Sequence, residues 1–108
     1  MVEQIDDTNI QTTPELSPKL SVVVPVHNEA DNIEPLISEI KAALEGVELY
    51  EIVYVDDCSR DGTPEKLMAL NRQIESLRVF AHQRQSGQSA AIRTGVKAAR
   101  GSLIVTLD

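Results

Sequence analysis

One cysteine, Cys58, in 108 residues leaves no internal disulfide framework and no multi-cysteine zinc site. Aromatic side chains are almost as scarce. Tyr50, Tyr54 and Phe80 are the full set, with no tryptophan, too few for a platform on which nucleic-acid bases stack. The net charge of −7 opposes attraction to a polyanion, so no nucleic-acid partner is expected. No apolar run approaches the roughly 20 residues that a membrane helix needs. Nothing basic or strongly apolar precedes Lys19, so no secretory leader is legible, and the cytoplasm, or the cytoplasmic face of a membrane, is the expected location.

The charge that is present is unevenly spread. Residues 1–65 hold fifteen acids and three bases, whereas residues 66–108 hold two acids and seven bases. Between Arg78 and Arg100 there are five bases and no acid. Such a run is either a set of solvated helix faces or a local field that favours a phosphorylated ligand.

Residues 1–18 are polar, carry two prolines and have no period, which predicts a disordered tail. Beyond them four short apolar runs alternate with three helical patterns. Leu20–Val26 is valine-rich and short, a buried strand with Pro25 near its end. Ile33, Leu36, Ile37, Ile40 and Leu44 recur at helical spacing and predict a helix from Glu29 to Glu45, capped by Asn28 with Asp31 as capping-box partner and stopped by Gly46. Strands over Glu51–Val55, Leu77–Ala81 and Leu103–Leu107 are expected, the last one buried. Thr63 with Pro64 should open a second helix. A third should run to Gly101 with Ala91, Ile92, Val96 and Ala99 inward.

Strand and helix in strict alternation predict an α/β fold: a Rossmann-like parallel sheet with helices on both faces. Ligands of such sheets bind at the carboxyl ends of the strands. The polar clusters fall there: Pro25-Val26-His27-Asn28-Glu29, then Asp56-Asp57, then Asp108. A natural domain seldom stops directly after a buried strand, so the chain reads as part of a longer domain.

Two nucleotide sites are excluded by what the turns lack. The first strand–helix turn has no Gly-x-Gly-x-x-Gly, and Glu29 at the helix start would repel a pyrophosphate, which argues against a nicotinamide enzyme. No Gly-x-x-x-x-Gly-Lys-[Ser/Thr] occurs, so the chain is not a P-loop NTPase. A receiver domain would carry its acidic pair after the first strand, not the second. Carboxylates at these strand ends can instead accept from ribose hydroxyls and from the N–H edge of a base, or hold a divalent cation against a diphosphate. A nucleoside diphosphate suits both halves of the charge asymmetry. Alternatively, the same acids cap helices and shape turns; Asp61-Gly62-Thr63 in particular reads as turn chemistry.

Four segments together resemble the family 2 glycosyltransferases of GT-A fold. They are Ser21-Val22-Val23-Val24-Pro25-Val26-His27-Asn28-Glu29, Val55-Asp56-Asp57-Cys58-Ser59-Arg60-Asp61-Gly62-Thr63, Gly87 to Gly95 with Ala99-Arg100-Gly101, and Val105-Thr106-Leu107-Asp108. The branch they resemble is that of the dolichol- and polyprenol-phosphate mannosyltransferases. The resemblance implies that residues 19–108 form the nucleotide-sugar-binding part of such a domain. It implies that Pro25, His27 and Glu29 hold the nucleoside and that Val55 and Asp57 contact the base, with Asp56 ordering the turn. His27 stands where this branch more often has tyrosine. Asp108 would be the first aspartate of an Asp-x-Asp motif that binds diphosphate and Mg²⁺ or Mn²⁺. No catalytic base is assigned within these residues. The implied reaction is transfer of a hexose from a GDP- or UDP-sugar to an acceptor, in this branch a lipid phosphate. Residues 1–108 alone are expected to be inactive. Two other readings stand beside it: a non-catalytic nucleotide-sugar-binding or regulatory module, and an interaction domain that forms a homodimer through the sheet edge beside the fourth strand.

Overall fold

The computed structural model describes residues 17–107. The elements run β1 (Leu20–Val26), α1 (Ala30–Ala43), β2 (Tyr50–Asp56), α2 (Thr63–Gln73), β3 (Leu77–Ala81), α3 (Gln88–Ala98) and β4 (Leu103–Thr106). All pairings are parallel, and the strand order is β3-β2-β1-β4. The predicted α/β architecture is therefore the observed one.

Strand residues of alternate parity face opposite layers, which is why β1 and β2 are apolar without interruption. Val22, Val24, Val26, Ile52 and Tyr54 pack under α1 and α2, against Ile33, Ile37, Ile40, Leu67 and Leu70. Val23, Val53 and Val55 pack under α3, against Ala91. Each such fully buried aliphatic side chain contributes about 1.5–3 kcal/mol. The chain runs outward from β1 to β2 and β3 with both helices on one face. It then returns through α3 across the other face to β4, on the far side of β1. The change of direction makes the carboxyl end of β1 a topological switch point, where helices diverge to opposite faces and leave a crevice.

Several details differ from the sequence expectations. Helix α1 starts one residue later and ends two earlier, with Glu29 at its N-cap position and no side-chain cap of its own. Asn28 is left-handed, with φ of 56°, so it cannot serve as the cap, and Asp31 closes no capping box. The free N–H groups of this helix start are satisfied from another loop. Thr63 Oγ1 accepts from Glu29 N at 3.0 Å and Asp61 Oδ2 from Ala30 N at 3.3 Å. Thr63 thus serves α1, while α2 takes Gly62 as N-cap.

The third helix buries Ala91 and Gly95, whereas Val96 is exposed and Ile92 only half-buried. The cause is close approach. A Cβ on Gly95 would overlap Val23 Cγ1 and lie 3.2 Å from Val55 Cγ2. Strand β4 is not buried. It is the edge of the described sheet, with Leu103 62% exposed and Ile104 and Val105 also exposed. Pro25 falls where its missing N–H is harmless. Val26 O pairs toward β2 and Val23 O toward β4, so Pro25 faces β4 beyond the last paired residues, Val23 and Thr106.

Candidate nucleotide site at the sheet switch point

The loops that follow β1 and β2 are tied to each other. Asp57 N donates to Val26 O at 2.8 Å, Asn28 N to Ser59 Oγ at 2.7 Å, and Arg60 N to Asn28 Oδ1 at 2.8 Å. Asp56, buried, takes the hydroxyl and N–H of Ser59 on Oδ1, which closes the turn as expected for an acid that orders it. Asp61 binds Thr63 N at 2.9 Å as well as Ala30 N, and the Thr63 hydroxyl, ahead of these two N–H groups, holds its carboxyl below the ordinary range. This acid is turn chemistry, as its sequence context predicts.

Asp57 does something different. Its carboxylate is buried and turned toward the β3–α3 loop. Oδ1 accepts from His82 Nδ1 at 2.9 Å and from Ser86 N at 2.8 Å, and Oδ2 accepts from Gly87 N at 2.8 Å. Burial alone would raise its pKa. The bonds from His82, Ser86 and Gly87 together outweigh burial and hold it below the ordinary carboxylate value. Gly87 delivers its N–H from a φ of 99°, which a side chain would strain. His82 Nε2 lies 2.7 Å from Thr94 Oγ1, and His82 N donates to Asp56 O at 2.9 Å, so this imidazole joins β2, β3 and α3.

His27 lies on the opposite wall. Its Nδ1 is 2.8 Å from Asp57 O, a group that only accepts, so Nδ1 carries the proton and Nε2 is left to accept from Asn28 Nδ2 at 3.2 Å. Glu29 is exposed and its Oε1 takes Asn32 Nδ2 at 2.7 Å.

Between these walls lies an open cleft of about 260 Å³ lined by Pro25, Val26, His27, Glu29, Asp57, Gln85, Gly87, Gln88 and Ala91. Four residues singled out from sequence (Pro25, His27, Glu29 and Asp57) therefore meet in one place. Val55 does not line the cleft; it is fully buried beneath α3. Asp108 lies outside the described residues, as do residues 1–16 of the expected tail. His82, Ser86, Gln85 and Gln88 were not assigned a role from sequence. For His82, Gln85 and Ser86 the only signal is position, since they follow the third strand at its carboxyl end; Gln88 also stands in the Gly87–Gly95 segment that carries the resemblance.

Part of the basic run of residues 78–100 serves the far end of the sheet instead. Arg78 Nη1 binds Glu51 Oε1 at 2.7 Å and Ala98 O at 3.0 Å, and Arg100 N binds Glu51 Oε2 at 2.7 Å. Glu51 stands near the start of β2, at the other end of the sheet. Burial pushes its carboxyl upward, but bonds from Ser21, Arg100 and Arg78 bring it below the ordinary value. The Arg78 guanidinium is thus the charged partner of one buried acid, and Arg100 serves the same acid through its backbone N–H.

Among the described residues no group of three or more His, Cys, Asp or Glu side chains is placed to hold a metal ion. Those residues do not by themselves form a metal centre. Among them, too, no helix is long and apolar enough to cross a membrane.

Comparison with known proteins points in one direction. The family model described as Glycosyl transferase family 2 matches residues 21–108. The dolichol-phosphate mannosyltransferase of Pyrococcus furiosus is 41% identical over 90 residues, covering 83% of this chain and 25% of that protein. The chain thus spans about a quarter of that relative's length. Among solved structures, the Pyrobaculum calidifontis mannosyltransferase PcManGT, in complex with GDP-Man and Mn²⁺, matches with a TM-score of 0.73 and 26% identity, over 92% of this chain and 29% of that one. S. aureus TarS 1–349 in complex with UDP matches with a TM-score of 0.68 and 27% identity, over 83% of this chain and 27% of that one.

Proposed function

The chain belongs to glycosyl transferase family 2, and from that membership we propose that it is the nucleotide-sugar-binding part of an enzyme that transfers a hexose from a nucleoside-diphosphate sugar to a polyprenyl phosphate. The observation that carries the reading is the meeting of Pro25, His27, Glu29 and Asp57 around one cleft at the switch point of the sheet. Glu29, exposed and with Oε2 free of the described bonds, accepts from ribose hydroxyls. Pro25 and His27 give the nucleoside a flat wall. Asp57 meets the N–H edge of the base. Val55 contributes by packing beneath this floor. In this reading residues 19–108 supply donor binding, and no catalytic base or acceptor site is assigned to them.

Asp108 with Mg²⁺ or Mn²⁺ belongs to the same proposal, supported by the Mn²⁺ in the Pyrobaculum enzyme. Such a cation offsets the charge of a leaving diphosphate. A lipid-phosphate acceptor places the working enzyme at a membrane surface, for which the cytoplasmic face is the proposed side.

Calorimetric titration with UDP, GDP and their hexose conjugates, with and without Mn²⁺, tests the reading. Binding at millimolar affinity or better, weakened by Glu29→Ala, is the expected result. A chain that melts cooperatively yet binds none of these ligands overturns it.

A further inference from the structure

Asp57 is a carboxylate with a nearly exhausted capacity to accept. Two oxygens offer about four lone-pair positions. Oδ1 spends both of its positions, on His82 Nδ1–H and Ser86 N–H, and Oδ2 spends one on Gly87 N–H. One position remains on the acid that lines the cleft. The nearby backbone acceptors each hold one bond already. Asp57 O receives His27 Nδ1–H, and Val26 O receives Asp57 N–H.

From this count we infer that the cleft selects uracil over guanine, with Asp57 as the specificity-determining residue; the inference rests on the nucleotide-binding reading above. Guanine presents two adjacent donors, N1–H and the 2-amino group, and a carboxylate normally grips both with its two oxygens. Here Oδ1 cannot join that grip without releasing the β3–α3 loop. Uracil presents a single donor, N3–H, between two carbonyls. One free lone pair satisfies it. The side-chain amides of Gln85 and Gln88, both on the cleft wall, supply donors for the flanking carbonyls. A second donor that the acid cannot pair is what separates the two bases, and its cost corresponds to roughly tenfold to a hundredfold in affinity.

The test compares UDP, GDP and IDP by calorimetry on the same protein. IDP differs from GDP only in lacking the 2-amino group, so it isolates the second donor from the size of the purine. UDP is expected to bind at least about tenfold more tightly than GDP. IDP is expected to bind more tightly than GDP, because the unpaired donor is gone. GDP binding as tightly as UDP, or more tightly than IDP, overturns the inference while leaving a nucleotide site in place. No binding of any of the three to a cooperatively melting chain removes the nucleotide site and the inference with it.

Discussion

His82 Nδ1 sits 2.9 Å from Asp57 Oδ1, and the same ring reaches Thr94 Oγ1 with its other nitrogen at 2.7 Å. The pair makes the floor of the cleft continuous with α3. Without it, the Asp57 carboxylate would hold the loop that carries Gln85 and Gly87 only through the N–H groups of Ser86 and Gly87.

Replacing the imidazole should therefore cost both stability and ligand affinity. His82→Ala is expected to lower the unfolding free energy by about 1–3 kcal/mol, because two hydrogen bonds at a half-buried site disappear with the ring. It should weaken UDP binding several-fold. Urea unfolding and calorimetry measure the two effects. An unchanged affinity would show that the loop holds its place without His82.

The Glu51 network predicts the opposite separation. Arg78→Met leaves a buried carboxylate with only Ser21 and Arg100 N as partners. The expected loss is about 2–3 kcal/mol, on the low side for a broken buried pair because Arg78 retains some contact with water. Nucleotide affinity should be unaltered in the folded fraction, since this network lies at the far end of the sheet. A change in UDP affinity at temperatures well below the melt would contradict that separation.

Gly95→Ala should destabilise the protein although alanine is the better helix former by about 1 kcal/mol. The new methyl would meet Val23 and Val55 and push α3 off the sheet. Overpacking of this kind costs about 1–3 kcal/mol. A raised melting temperature for the variant would mean that α3 is packed less closely than described.

Acid should unfold the chain through its carboxylates. Asp57, Glu51 and Asp61 all have pKa values below their ordinary ones in the folded state. Each is protonated more readily when unfolded, so its contribution is fully present above the ordinary carboxylate pKa, about 4, and is lost as pH falls through the lower folded values. Urea midpoints should be level between pH 7 and 5 and drop steadily below pH 4. Asp57→Asn should shallow that drop. A midpoint that holds constant down to pH 3 would refute the linkage.

The amino-acid order determined the succession of strands and helices because each element's apolar spacing is a local property. Valine runs can only be buried strands, and Ile33, Ile37 and Ile40 share one helical stripe. It also determined which carboxylates stand at strand ends, since a parallel sheet places every strand-to-helix turn on one rim. Only the assembled sheet decided what each of those groups does. Thr63 caps a helix 34 residues away, Arg78 neutralises Glu51 across two strands, and Asp57 devotes three of its acceptor positions to a loop that begins 25 residues later. Partners that distant are brought together by packing, and no periodicity in the chain encodes them.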